Sequence, residues 1–529
     1  MQQENSRLRG ANPTLPVANC SGEGKDAKHE KREWMFHCRV GRALRLRFRT
    51  VSPWVLAMTL SFTPHRSFDE LYAEGRRLRV KCPRGSHAVW QAPANRPEPL
   101  SLLVQSSQGR IRQLIPIRYG RMMQTPFTFY RGAALNMAAD LAATPTTGLR
   151  VQACGDCHLL NFGVFATPER RVIFDINDLD ETLPAPWEWD VKRLAASFIL
   201  ACRDRGFDEI TARDTVLSCV RSYRLAMAKF SRMRVLDVWY AYTDVEAMVD
   251  AIRDKETGKR LQARVAAARK RSVLEHDYPK LVEVVGRLPM IKDAPPLIYH
   301  WRERRQKEFF ASVKAAFDKY RATMQEDRRH LLDRYELRDI AIKVVGVGSV
   351  GTWCGIMLLL AGDQDPLFLQ IKEAGASVLE TYAGKSIYPN HGQRVVNGCR
   401  LMQSASDLFL GWSVGPEGRH FYVRQLKDMK IKMLVELFTR GVMTQYAELC
   451  GWTLARAHAR STMPAQISGY LGNSDKFDEA IADFSLAYAD QSERDHNVLM
   501  KAVSDGRLKV ADEASDHHHQ QRPIRPSSQ

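Results

Sequence analysis

The stretch that most constrains what this chain can become is Gly155-Asp-Cys-His-Leu-Leu-Asn161, followed fourteen residues later by Asp175 at the end of the apolar strand Val172–Phe174. Cys154, Leu159, Leu160, Phe162 and Phe174 surround the loop and predict a half-buried location, where a carboxylate is costly without partners. Phosphoryl transfer asks for few parts: a carboxylate that orients the attacking hydroxyl, and oxygen ligands for magnesium. A loop Asp with an Asn five residues on places both at one phosphate, and a second Asp from the adjacent hairpin completes a metal site. Asp156, Asn161 and Asp175 have that order and spacing. Asp178 and Asp180 compete with Asp175 for the metal, because Asp175-Ile-Asn-Asp178-Leu-Asp180-Glu181 offers several carboxylates. The bland alternative is an Asp-rich surface hairpin.

The same loop carries a second pattern. Cys154-Gly-Asp-Cys157-His158 satisfies the Cys-x-x-Cys-His haem-attachment motif, and its first part satisfies a redox motif. Haem attachment of that kind belongs to exported proteins, and the only long apolar run near the start, Val51–Phe62, lies some fifty residues in. A single cysteine pair also lacks the second half of a zinc site. The phosphotransfer reading is therefore preferred. The ten cysteines follow no framework spacing and are expected as free thiols.

Along the chain, residues 67–150 mix short strand-like runs with a helix near Ala133–Ala142. Strands are predicted at Phe162–Phe165 and Val172–Phe174 around a turn at Thr167–Arg170, then a helix over Asp190–Arg203. From Glu209 to Leu337 the pattern stays helical, broken at Pro289, Pro295 and Pro296. Strands return at Ala341–Val345, Trp353–Leu360 and Leu367–Ile371, followed by a helix at Gln393–Ser404 and strands at Leu408–Trp412 and Phe421–Gln425.

A phosphotransfer site also needs a cradle for the phosphates. Gly346-Val-Gly348-Ser349-Val-Gly351 follows an apolar strand, and Lys372 ends a later one. In a dinucleotide fold such glycines open a helix that holds a pyrophosphate, and Glu373 sits near the distance expected of its acidic partner. In a kinase they form a hairpin over the phosphates and the next strand brings the lysine. Only Thr352–Leu360 lies between Gly351 and the next turn, too short for a crossover helix, so a hairpin is expected.

Gly155–Asn161 resembles the catalytic loop of aminoglycoside phosphotransferases and choline kinases, which carry Gly-Asp-x-His-x-x-Asn. Ile173-Phe-Asp175 resembles their metal-binding strand end. Trp187-Glu-Trp-Asp190-Val-Lys-Arg-Leu resembles the segment where an Asp opens a helix and braces the loop, and Leu454-Ala-Arg-Ala-His458-Ala the helix that precedes the loop. The resemblance implies Asp156 as base, Asn161 and Asp175 as magnesium ligands with Asp178 as a further candidate, and Asp190 as brace. It also implies ATP and Mg2+ as cofactors, cradled by Gly346, Gly348, Ser349, Gly351 and Lys372, with Gln425 at the hinge. Lys372 would pair with a helix carboxylate, yet Gln393–Ser404 holds none and Asn397 stands in its place, leaving Glu373 or Glu380.

Because the lysine lobe follows the loop, the implied fold is α+β: a protein-kinase-like two-lobed fold, circularly permuted, with a large helical insertion. Its divisions would be a disordered basic extension 1–64, a lead-in 65–150, the catalytic-loop half 151–208, a helical segment 209–337, a nucleotide lobe 338–430, closing helices 431–505 and a disordered tail 506–529. Over most of residues 67–500 the chain also resembles an uncharacterised bacterial family, domain of unknown function 2252, through Thr125–Gly132, the loop above, Gly346–Thr352, Gln370–Ala374 and Tyr488–Gln491.

The formal charge of +18 invites a nucleic-acid partner, but residues 1–50 alone hold eleven Lys/Arg against five Asp/Glu and no recognition motif accompanies them. The expected partners are a nucleotide and a small-molecule or protein acceptor, without specific nucleic acid or membrane, in the cytoplasm. Arg118, Arg121 and Arg131 are candidate anion contacts, with plain surface solvation as the alternative. A catalytically silent nucleotide-binding regulator and a dinucleotide-dependent oxidoreductase are the competing functions.

Overall fold

A computed structural model describes residues 66–511, apart from 253, 271–272, 274–276, 287, 301–305, 345, 363–364 and 427–428. The basic extension expected over 1–64 and all but the first residues of the expected tail lie outside the described residues, as does Val345.

The chain is α+β. Among the described residues the strands are β1 Arg150–Ala153, β2 Phe162–Ala166, β3 Val172–Ile176, β4 Leu183–Pro186, β5 Thr243–Asp244, β6 Val282–Val285, β7 Leu288–Ile291, β8 Ile298–Tyr299, β9 Glu336–Lys343, β10 Cys354–Ala361, β11 Asp365–Glu373, β12 Gly411–Val414 and β13 His420–Gln425. β1 pairs with β4, β2–β3–β5 form a three-stranded sheet, and β6 pairs with β7. The remaining six form one sheet in the order β12-β13-β11-β10-β9-β8, with every neighbouring pair antiparallel.

The continuous apolar run in β10 has a packing cause. Met357 and Leu359 point to a core built with Tyr320, Met324 and Leu332. Ile356, Leu358 and Leu360 face the opposite core, which includes Val282 and Ile291 of the β6–β7 hairpin. A strand covered on both faces has no reason to alternate with polar residues. Burying each such side chain contributes roughly 2 kcal/mol.

A larger core surrounds the Gly155 loop. Every residue of the helix Trp187–Asp204 from Trp187 to Cys202 is buried, including Glu188, Asp190, Lys192 and Arg193. That helix starts at Trp187 rather than at Asp190, the N-cap being Pro186, whose fixed φ suits a helix entry. The helices Glu209–Phe230, Arg440–Ala459 and Lys476–Ser504 complete the layer around it.

Three expectations need correction. The lead-in has no strand before Arg150 among the described residues; it is helical at Phe68–Lys81, Pro99–Gln105, Ile115–Met122, Pro126–Gly132 and Ala134–Leu141. The stretch 209–337 is not helical throughout, because Pro289 lies in β7 opposite Val284 and the β6–β7 pair caps the sheet. The strand expected at Leu408–Trp412 begins at Gly411, since Asp407 turns the chain by accepting the Phe409 N–H at 2.6 Å and the Gln425 N–H at 2.8 Å. No helix among the described residues is long and apolar enough to cross a membrane.

Candidate active site

β1 delivers the chain into Cys154–Asn161, and Asp190 holds the entry. Its carboxylate accepts the Cys154 N–H at 2.6 Å and the Gly155 N–H at 3.1 Å. His458 Nε2 lies 3.2 Å from the same carboxylate, and its Nδ1 meets the Tyr223 hydroxyl at 2.9 Å. Gly155 has φ 81° and no room for a Cβ, which would stand 2.5 Å from the Glu181 carbonyl oxygen. Only glycine tolerates both conditions. Further along, Ser197 Oγ accepts the Leu159 N–H at 3.0 Å and the Tyr446 hydroxyl donates to the Leu159 carbonyl at 2.7 Å.

Asp156 sits at the loop's tip, with its side chain 23% exposed. Its Oδ1 accepts from Arg193 Nε at 2.8 Å and from Arg193 Nη2 as well. Arg193 in turn lies over the Tyr130 ring at 4.5 Å. With Oδ1 engaged in this way, Oδ2 is the oxygen suited to a hydroxyl proton. The Asn161 amide nitrogen donates to the Asp156 carbonyl at 2.6 Å, which leaves Oδ1 as the Asn161 atom suited to a cation. His158 is buried, and that burial pushes its imidazole down to about 4.

The two aspartates that compete for a metal differ sharply. Asp175 is 1% exposed. Its Oδ1 accepts from the Ile176 N–H and from Arg456, and its Oδ2 accepts from the Ser404 N–H at 2.8 Å and the Ser404 hydroxyl at 2.6 Å. All four lone-pair positions of the carboxylate are taken. Asp178 lies just past β3 with its side chain 36% exposed, and the Asn177 N–H donates to the Asn161 carbonyl at 2.7 Å. The candidate metal oxygens of Asn161 and Asp178 thus stand on adjoining segments.

Lys372 reaches this place from the six-stranded sheet. Its Nζ lies 2.6 Å from Asp180 Oδ2 and 3.6 Å from Asp178 Oδ2, across 192 residues of sequence to Asp180. Burial disfavours the charged amine, but Asp178 and Asp180 outweigh it and hold the pKa well above its ordinary value. Between the two carboxylates, burial is overcome at Asp178 by Lys372 and Arg424, so its pKa falls; at Asp180, burial and the Asp178 charge raise it. The Tyr422 hydroxyl donates to Asp180 Oδ1. Arg394, buried on the helix His391–Met402, clamps the same turn by donating to the Thr182 carbonyl at 2.6 Å and the Asp180 carbonyl at 2.9 Å.

This corrects the expected partner of Lys372. Glu373 is bound instead by Arg419 at 2.8 Å and by the Trp353 N–H, while Glu380 faces His391 at 3.8 Å. The partner of Lys372 comes from the carboxylate loop, and the helix contributes Arg394 where a carboxylate was sought.

Gly346, Gly348, Ser349 and Gly351 lie between β9 and β10, which are antiparallel partners, and open no helix. Gly346 and Gly351 have φ 69° and 86°. The lead-in holds this turn by its carbonyls. Arg110 donates to the Gly348 and Val350 carbonyls at 2.6 Å each, the Ile111 N–H donates to the Gly351 carbonyl at 2.7 Å, and Arg121 donates to the Gly346 carbonyl. Of the three arginines offered as anion contacts, Arg118 is neither on the surface nor open to a ligand; it is 1% exposed and bonded to Ser107 Oγ, Ser106 Oγ and the Gly132 carbonyl. Arg131 is the one whose charge acts on Asp156 and His158.

Gln425 lies on β13 opposite Leu369 and borders a cavity of about 90 Å³ shared with Asn177, Tyr422, Arg424 and Lys430. Burial, with Arg424 beside it, pushes the Lys430 amine down to about 7. A larger cavity of about 1110 Å³, between residues 242–264 and 433–452, is lined by Tyr446 but by none of the residues expected to carry the chemistry.

Residues 110–502 match the family described as uncharacterized protein conserved in bacteria (DUF2252). The chain belongs to that family. The matched span includes the Cys154 loop, the carboxylate loop, the glycine turn and Lys372. No curated protein and no solved structure matches the chain.

Sequence reasoning missed Arg193, Arg394, Tyr422, Arg424 and Arg456. Arg193 alone carried a local signal, standing one helical turn after Asp190 and so on the same helix face.

Proposed function

We propose that this protein is an ATP- and magnesium-dependent phosphotransferase of protein-kinase-like, circularly permuted build, acting on a hydroxyl of a small molecule or a protein. The observation that carries the reading is the Lys372–Asp180 contact, which brings a lysine strand following a glycine hairpin against the loop that follows Asp156 and Asn161. Each half lacks what the other supplies: one has a base and cation ligands, the other a phosphate cradle and a lysine.

Asp156 Oδ2 would accept the acceptor's hydroxyl proton while Arg193 fixes the carboxylate. Lys372 and the glycine turn would hold the phosphates. Asn161 Oδ1 and Asp178 are the hard oxygen donors suited to magnesium, with Asp180 nearby; a bound cation there would neutralise charge on the transferring phosphoryl group. Asp178 is preferred over Asp175, the ligand expected from spacing, because the Asp175 carboxylate is already bound by Arg456 and Ser404.

A nucleotide-binding regulator without turnover is the second reading, favoured by the engagement of Lys372 with the carboxylate loop rather than with a helix glutamate. Titration calorimetry with ATP and NAD, each with and without Mg2+, tests both. Magnesium-dependent ATP binding is expected, with turnover separating enzyme from regulator. Binding of NAD in place of ATP would remove the proposal.

A further inference from the structure

The thiols of Cys154 and Cys157 have no part in the proposed phosphotransfer. Their Sγ atoms and a carboxylate oxygen of Asp190 all lie within 4.8 Å of one another, and all three residues are buried. A Cys-x-x-Cys pair by itself is half a site; the tertiary structure brings a third ligand type to it from the helix Trp187–Asp204.

We infer that Cys154, Cys157 and Asp190 form a buried metal site of the zinc class, with two thiolates and a carboxylate as its protein ligands. His458 Nε2 is already 3.2 Å from Asp190 Oδ2. It braces that carboxylate from outside the ligand set, with its Nδ1 2.9 Å from the Tyr223 hydroxyl. Asp190 spends three of its four acceptor positions on Cys154 N–H, Gly155 N–H and His458, so one remains.

Binding replaces two S–H bonds with two metal–sulfur bonds and releases two protons, with no change of oxidation state. Both thiols are buried beside the Asp190 carboxylate. A soft, borderline cation that ionises them is the class of ligand this set selects, rather than magnesium. Asp156 lies between the two cysteines in the chain, so the ion would pin the loop that carries it. The inference does not rest on the phosphotransfer reading.

The test uses the full chain purified from zinc-supplemented culture. Metal analysis after dialysis should give about one zinc per chain, and exchange for Co2+ should give an intense thiolate-to-cobalt charge-transfer band in the near ultraviolet. Cys154→Ser and Cys157→Ser, confirmed folded by circular dichroism, should each lose most of the bound metal. The cobalt spectrum of the unaltered protein decides the matter even where a variant does not fold. Absence of metal, metal without the thiolate band, metal fully retained by a folded Cys154→Ser, or a Cys154–Cys157 disulfide in peptide mapping would each overturn the site.

Discussion

The loop Cys154–Asn161 and the turn Gly346–Gly351 are both glycine-bearing, yet the fold holds the first by its N–H groups as well as its carbonyls and the second by its carbonyls. In the first, side chains of the surrounding helices take up N–H groups: Asp190 accepts from Cys154 and Gly155, and Ser197 accepts from Leu159. In the second, Arg110, Arg121 and the Ile111 N–H take up carbonyls. A loop whose donors are spent presents its side chains, which suits Asp156 and Asn161. A turn whose carbonyls are spent keeps amide donors for an anion, which suits a phosphate cradle. The supports differ too. The first loop is braced by the helix that directly follows its hairpin, whereas the second depends on a lead-in more than two hundred residues away, Arg110 to Gly348 spanning 238.

The sharpest way to break this comparison is Asp156→Ala. If the first loop exists to present that side chain, phosphotransfer should fall by several orders of magnitude, on the order of 10³ or more, while ATP affinity barely moves; the melting temperature should also drop, because the buried Arg193 loses its counter-charge. Near-normal turnover in a single-turnover assay would take Asp156 out of the mechanism.

Asp190→Ala strips the brace. Two buried N–H groups and His458 lose their acceptor, so urea unfolding should register a loss of about 3–5 kcal/mol. A loss under about 1 kcal/mol would mean that the loop holds itself.

Asp175 and Asp178 separate a structural carboxylate from a ligand. Asp175→Asn leaves the buried Arg456 guanidinium without its counter-charge and should destabilise by about 3 kcal/mol. Asp178→Asn should instead raise the Mg2+ concentration needed for ATP binding, with little change in stability. Should the two variants exchange these phenotypes, the metal belongs to Asp175 after all.

Arg110→Ala tests the second loop. Freeing the Gly348 and Val350 carbonyls should weaken ATP binding by about thirtyfold, roughly 2 kcal/mol, by letting the turn wander. The same substitution should leave the zinc content untouched.

The smallest effect concerns pH. Burial, with Asp156 and Asp180 adding to it, pushes the Glu181 carboxyl up to about 6 from its ordinary 4.5. The unfolded chain therefore releases this proton first, so folding stability falls as pH rises from about 4.5 through 6 and stays lower above. Glu181→Gln should remove a loss on the order of 1 kcal/mol, seen as a flatter stability profile over that window. An unchanged profile would place Glu181 in a wetter setting than its contacts imply.

Much of this arrangement was legible in the sequence. The β2–β3 hairpin followed from two short apolar runs, Phe162–Phe165 and Val172–Phe174, around the Thr167–Arg170 turn, where Arg170 takes φ 66° and the Thr167 N–H donates to the Arg171 carbonyl at 2.8 Å. The glycine turn between two strands followed from the shortness of Thr352–Leu360, while Asp190 as brace was implied by the resemblance of Trp187–Leu194 to the segment that braces such loops. The hairpin and the glycine turn are local facts, fixed by chain length, turn chemistry and apolar runs.

Which aspartate is spent and which is open was not local. Asp175 and Asp178 stand three residues apart in the same acidic run, and spacing alone favoured Asp175. Arg456, 281 residues away, and Ser404, 229 away, enclose the one; Lys372 takes its stand beside the other. The partner of Lys372 was likewise out of reach, since the helix that should have carried it holds Arg394. Sequence alone determined the strands and turns around the two glycine-bearing loops and which residues could carry phosphate chemistry, but not the strands within 209–337. Only the tertiary structure decided which charges neutralise one another, because a buried carboxylate is defined by the cation folded against it and not by its neighbours in the chain.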